Sequence, residues 1–186
     1  MLHTLSAFFY RIASWKTLLL GILLIIPFQA YFLKNLEVQL NAFAGKAIGP
    51  IDLLFEYNPA KINQMVADYG PKGRAVYAQG SLIIDTAYPL IYTFIFCIIL
   101  SLLFRNQSYV PFRTVNVLPV AILAFDLLEN SIIIYLLRSY PDSASSAASL
   151  CSIVTNLKWS VTAVVLALVV YGLIRLLLSG RQRQVT

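Results

Sequence analysis

The chain has little charge, one histidine and two cysteines. Of its 186 residues only 12% are charged. With 59% hydrophobic residues and a mean hydropathy of +0.76, that scarcity excludes an ordinary soluble domain and fits a polytopic membrane protein. The single histidine, His3, falls on the side opposite the intramembrane acids, which leaves them without a histidine for a serine triad or a catalytic zinc centre. Cys97 lies toward the inner end of the second span and Cys151 at or beyond the outer end of the fourth; their heights differ by roughly 15 Å or more, too far for a disulfide, so both read as apolar filler. There is no phosphate loop, haem motif, internal repeat or low-complexity tract. The formal charge of +6 comes from scattered bases flanking apolar runs, which argues for membrane anchoring and against nucleic acid as a partner.

Four runs are long and apolar enough to cross a bilayer: Thr17 to Phe32, Leu82 to Phe104, Thr114 to Leu137, and about Thr155 to Leu178. Without water to satisfy the backbone, each must be helical, which predicts an all-α four-helix bundle and a single integral membrane domain. The first run is short and extends toward Trp15 or Leu36. Pro27 and Pro89 predict kinks. The acid-free ends carry Arg11, Lys16, Arg105, Arg113, Arg175, Arg181 and Arg183, so both termini are expected in the cytoplasm of a bacterial inner-membrane protein. The Ala42-Phe43-Ala44 motif lies too far beyond the first apolar core for a cleaved leader, so the first span reads as retained.

Residues 1–16 read as an interfacial helix, with Leu5, Phe8, Phe9, Ile12 and Trp15 on one face. Residues 34–80 read as one outer loop folded into an amphipathic cap. Its helix is started by Asn58-Pro59 and stopped by Gly70-Pro71, with Ile62, Met65, Val66 and Tyr69 at helical spacing. The apolar cluster Ile51, Leu53, Leu54 and Phe55 precedes it. Helical pattern continues from Pro71 into the second span, and the fourth helix is expected to begin at Asp142 or Ser143. Residues 179–186 form a cytoplasmic tail.

Charge inside the spans is the most informative feature. Asp126, Glu129 and Asn130 share one helix face in the third span, and a carboxylate near the bilayer centre costs roughly 2.5 to 3.5 kcal/mol even on the lenient insertion scale. Lys158 shares a face with Thr155 and Thr162, and Asp85 shares one with Tyr88 and Tyr92. At 1.5 Å per residue from the arginine-marked boundary, Asp126 lies roughly 20 Å up, Glu129 24 Å, Lys158 26 Å and Asp85 30 Å. The stripes are expected to face inward around an acidic pocket open to the outside, with Glu129 paired to Lys158. Asp85, Tyr88, Asp126, Glu129, Asn130, Thr155 and Lys158 are the candidate ligand-binding residues, and Arg74 and Tyr69 the candidate gating or access residues. Three acids against one lysine leave an excess of negative charge. Asp126, the deepest acid, is expected to hold a proton until a cation arrives. Lys158-Trp159 also reads as an interfacial anchor, and the acids also read as glue between helices.

Four spans, a long first outer loop, and Asp85 ahead of Pro89 in the second helix resemble the layout of the emopamil-binding-protein superfamily. That resemblance implies a sterol isomerase or a lipid- or drug-binding receptor. Asp126-x-x-Glu129-Asn130 has no counterpart in it, and no residue roles follow. The leading functional reading is binding, sensing or transfer of a small polar or cationic molecule or a lipid headgroup. The alternatives are a subunit or assembly factor pairing its charges with a membrane-protein partner, and an intramembrane lipid-modifying enzyme using paired carboxyls. No cofactor or metal is implied, and membrane lipid is the one partner the composition demands.

Overall fold

Serine, glycine and proline set the boundaries of the helices. A computed structural model describes residues 2–54, 59–105, 113–142 and 145–182; Phe55, Glu56, Asn58, Ser143 and Arg183 lie outside the described residues. Helix α1 (Leu2–Ile12) is separated from α2 (Trp15–Pro27) by the Ser14 N-cap. The Ser14 hydroxyl accepts from the Thr17 amide at 3.2 Å, and the Ser14 amide donates to the Thr17 hydroxyl at 2.9 Å. Trp15 therefore opens α2 and stands exposed, apart from the α1 face on which the spacing had placed it. Proline 27 withholds an amide from the helical ladder, and a π-turn (Phe28–Phe32) follows before α3 (Leu33–Ala44) resumes on the same course. Gly45, at φ 68°, ends α3.

Helix α4 spans Pro59–Asp68, and α5 spans Gly70–Phe104. Gly70, at φ 63°, reverses the chain between them, and Pro71 begins the new helix, so one dipeptide both stops and starts a helix. Helices α6 (Pro119–Ser139) and α7 (Ser145–Gln182) complete the chain. The expected 34–80 loop is thus mostly helix: α3 carries the first span past residue 40, α5 begins at 70, and only the stretch between them is a cap. Likewise α7 continues to Gln182, into the segment expected as a tail.

Four helical segments are long and apolar enough to cross a membrane: Trp15–Ala44, Gly70–Phe104, Val115–Ser139 and Ser146–Leu178. They form an all-α bundle of an integral membrane protein. At 1.5 Å per residue α5 runs ~52 Å, longer than a ~30 Å hydrocarbon layer, and its N-terminal turns pack Tyr77 and Ala78 against Ile51, Ile62 and Val66 of the cap. The outward faces carry Leu19, Leu23, Ile26, Val164, Val170 and Ile174, all at least 45% exposed, the surface a bilayer covers.

The interior is layered. At the cap end Leu36, Leu40, Ile51, Ile62, Val66, Tyr77, Ile133 and Leu136 form one apolar core. At the other end Phe9, Cys97, Ile98 and Val117 form a second, beside Leu100, Phe104, Ile122 and Val165. The buried charges lie between. Helices α1 and α7 both pack at the Phe104 end of α5: Arg105 donates to the Tyr10 and Ala13 carbonyls, and Tyr171 stacks on Phe104. Asn116 donates to Ser101 and to the Ser6 carbonyl, while Ser6 donates to Asn116, which locks α1 to α5 and to the turn before α6.

Span one touches α5 closely at two levels. A Cβ on Gly21 would meet Ile95 Cγ1 at 2.7 Å, and one on Gly80 would meet Leu36 at 3.0 Å. Pro27 and the π-turn lie between these pinned points, and there the helices part around a cavity.

Candidate functional site

The cavity has a volume of about 680 Å³, within the range of small-molecule sites. Its walls come from α2, α3, the Pro50–Leu53 turn, α5, α6 and α7. Helices α2 and α7 both line it and both pack on α5, yet they are not a packed pair themselves. Ile25, Leu36, Ile95, Phe96 and Ile122 supply apolar surface; Asp52, Asp85, Tyr88, Tyr92, Asp126 and Lys158 supply the polar end.

Glu129, Asp126 and Lys158 form one network. Lys158 Nζ donates to Glu129 and lies 3.6 Å from Asp126 Oδ1. The Thr155 hydroxyl donates to Glu129, and the Tyr92 hydroxyl donates to Asp126. Glu129 is fully buried and Lys158 nearly so, which decides between the two readings of Lys158: it belongs to the bundle interior and is not an outward-reaching anchor. Each buried ion forfeits several kcal/mol of solvation, and only close partners on both sides offset that.

Asn130 has a different task. Proline 89 has no amide, so the Asp85 carbonyl one turn before it lacks its helical donor. Asn130 Nδ2 donates to that carbonyl at 2.7 Å. The side chain thus repairs α5 from α6 and lets Pro89 stand inside an unbroken helix.

Asp85 is the least compensated acid. It is 6% exposed, lines the cavity, accepts from Ser81 Oγ at 2.9 Å, and has no ion-pair partner among the described residues. Asp52 lines the same cavity from the cap and accepts from the Tyr77 hydroxyl at 2.8 Å. Tyr77 also accepts from the Ile51 amide at 2.8 Å, so one phenol fixes the turn that carries Asp52. Gln29, in the π-turn, donates to the Tyr88 hydroxyl and ties span one to the cavity wall.

The structure brings Asp85, Tyr88, Asp126 and Lys158 to the cavity surface and sets Glu129, Asn130 and Thr155 behind them. Tyr69 and Arg74 are not on it. Tyr69 is buried in the cap, donates to the Gly49 carbonyl at 2.7 Å, and packs its ring on Tyr77. Burial pushes the Tyr69 phenol well up, which keeps that donor protonated. Arg74 does not reach down to the acids; it donates to the Val66 carbonyl at 3.2 Å and lies over the Tyr140 ring.

Four cavity residues escaped the spacing argument: Gln29, Asp52, Lys34 and Glu37. Gln29 had a signal, a lone amide two residues past Pro27 in an apolar run. The other three read as ordinary loop charges and are brought in only by the continuation of α3 and the fold of the cap. No cluster of three metal-ligating side chains occurs among the described residues. No protein-family model matches the chain, and comparison with curated proteins and with solved structures finds no match for it.

Proposed function

We propose that this membrane protein binds, senses or transfers a small amphipathic molecule whose cationic or hydrogen-bond-donating head enters the cavity beside Asp85. The single observation that carries this reading is Asp85 itself: a buried carboxyl facing a cavity with one hydroxyl, that of Ser81, as its side-chain donor among the described residues. Buried carboxyls are costly unless paired, and a donor brought by a ligand supplies what the chain withholds. Four acids (Glu37, Asp52, Asp85 and Asp126) and two lysines (Lys34 and Lys158) line the cavity, so the formal balance favours a positive head. The apolar wall suits a body that arrives from the bilayer, such as a lipid with a polar or amine headgroup.

The interior position of the acids weighs against a subunit that pairs its charges with a partner, since such charges belong on the outer bundle surface. Catalysis by paired carboxyls keeps the same residues but adds an electrophile for which nothing here argues. The cap end is proposed to face outward and both termini inward, which cysteine labelling at Lys61 and Thr186 tests: reaction of both from the same side contradicts it.

Trp159 lines the cavity and Trp15 is the only other tryptophan, so Trp15→Phe leaves one reporter. In phosphatidylcholine vesicles, a bromine-labelled long-chain primary amine is expected to quench Trp159 saturably, and Asp85→Asn to abolish the saturable part. Quenching that rises linearly and is unchanged by Asp85→Asn overturns the proposal.

A further inference from the structure

A second concavity, of about 520 Å³, lies between α5 and α6 near the cap and shares no lining residue with the first. Two guanidiniums line it, Arg74 and Arg138, and no carboxylate does. Arg74 is held in place with its carbon 4.2 Å from the Tyr140 ring centre and one N–H on the Val66 carbonyl. The rest of its five-donor fork remains for a ligand. Arg138 is exposed and has no ion pair among the described residues. The alanines Ala75 and Ala78 hollow the groove, and its lower wall is Leu82, half exposed where the apolar run of α5 begins.

Level and chemistry fit one occupant. Arg138 stands in the last turn of α6, at the limit of that span, while Leu82 and the neighbouring Ile83 face the hydrocarbon. A planar donor fork matches phosphate oxygens two at a time, and an apolar wall directly beneath matches an acyl chain. We propose that this groove binds the phosphate of an anionic phospholipid, with a chain running down past Leu82. A free phosphate ion would have no use for the lower wall. The site is independent of the cavity, and neither reading needs the other.

The test uses the full chain reconstituted in vesicles of equal phosphatidylglycerol and phosphatidylcholine, extracted gently and weighed by native mass spectrometry. Phosphatidylglycerol is expected to be retained in excess. Arg138→Gln is expected to lower that excess about fivefold, the effect of one base near a headgroup, and Arg74→Gln at least as much. Arg138 is exposed, so its variant keeps the fold and remains a valid readout even if Arg74→Gln unfolds. Lys72→Gln removes a charge at the same end without touching the groove and is expected to leave retention unchanged. Equal retention of the two lipids overturns the proposal. So does a loss with Lys72→Gln as large as with Arg138→Gln, which means diffuse surface attraction. Displacement by millimolar inorganic phosphate also overturns it, because the groove then takes the free ion.

Discussion

Replacing Asn130 with leucine keeps the side-chain volume and removes the donor that meets the Asp85 carbonyl. That carbonyl lacks a helical partner only because residue 89 is proline, so the cost of the substitution depends on what stands at position 89. A buried acceptor left unmatched costs about 1–3 kcal/mol. With Pro89→Ala in the background, an amide returns one turn away and takes the carbonyl, and Asn130→Leu should then cost less than about 1 kcal/mol. The coupling between the two sites should therefore be about 1–2 kcal/mol, well above the few tenths by which independent sites fail to add. Equilibrium unfolding of the four proteins in mixed micelles, followed by far-ultraviolet circular dichroism, measures it. An equal loss from Asn130→Leu in both backgrounds refutes the idea that the asparagine repairs the proline break.

The lysine network predicts unequal losses: Lys158→Met strands two acids and should cost about 3–5 kcal/mol, whereas Glu129→Gln leaves Lys158 beside Asp126 and should cost less, with the double variant recovering part; additive losses in thermal unfolding contradict the pairing. Tyr77→Phe removes the phenol shared by the Ile51 amide and Asp52, and should speed hydrogen exchange at Ile51 by roughly tenfold, while the bundle amides keep their rates. The Lys46 ammonium, 2.6 Å away, and Gln64 hold the Asp68 carboxyl below its usual range. A depressed carboxyl stabilises above its unfolded pKa and loses that contribution as pH falls through the folded value. The difference in melting temperature between wild type and Asp68→Asn should therefore be level from neutral pH to about 4 and vanish below it; a difference that disappears near neutrality contradicts the assignment.

The span count, the cap helix and the inward turn of the charged stripes were legible in the sequence because each rests on a local rule. Apolar length marks a span, Gly70-Pro71 marks a reversal, and three- and four-residue spacing puts Asp126 beside Glu129. The pairing of Glu129 with Lys158 followed from height alone. Registers set by tertiary contact were not legible. Nothing local in Lys34 to Ala44 announces that the first helical segment continues to Ala44, so Lys34 and Glu37 were hidden as loop charges. Asp126 read as the deepest acid, protonated until a cation arrives, but Tyr92 and Lys158 both reach it, and among the buried intramembrane acids of the described residues it is Asp85 that has no ion pair. Asn130 read as a ligand contact because its spacing matched the acids, and the Pro89 gap it fills lies 41 residues away on another helix.

Native mass spectrometry of the wild type and Asp85→Asn, both released gently from the membranes in which they were made, tests the cavity most directly. The predicted result is a small-molecule or lipid adduct on the wild type that is absent from Asp85→Asn and survives Arg138→Gln, which separates it from a phospholipid held by the groove. A wild type with no adduct that survives Arg138→Gln, or that same adduct at equal occupancy on Asp85→Asn, contradicts a ligand held by that carboxyl.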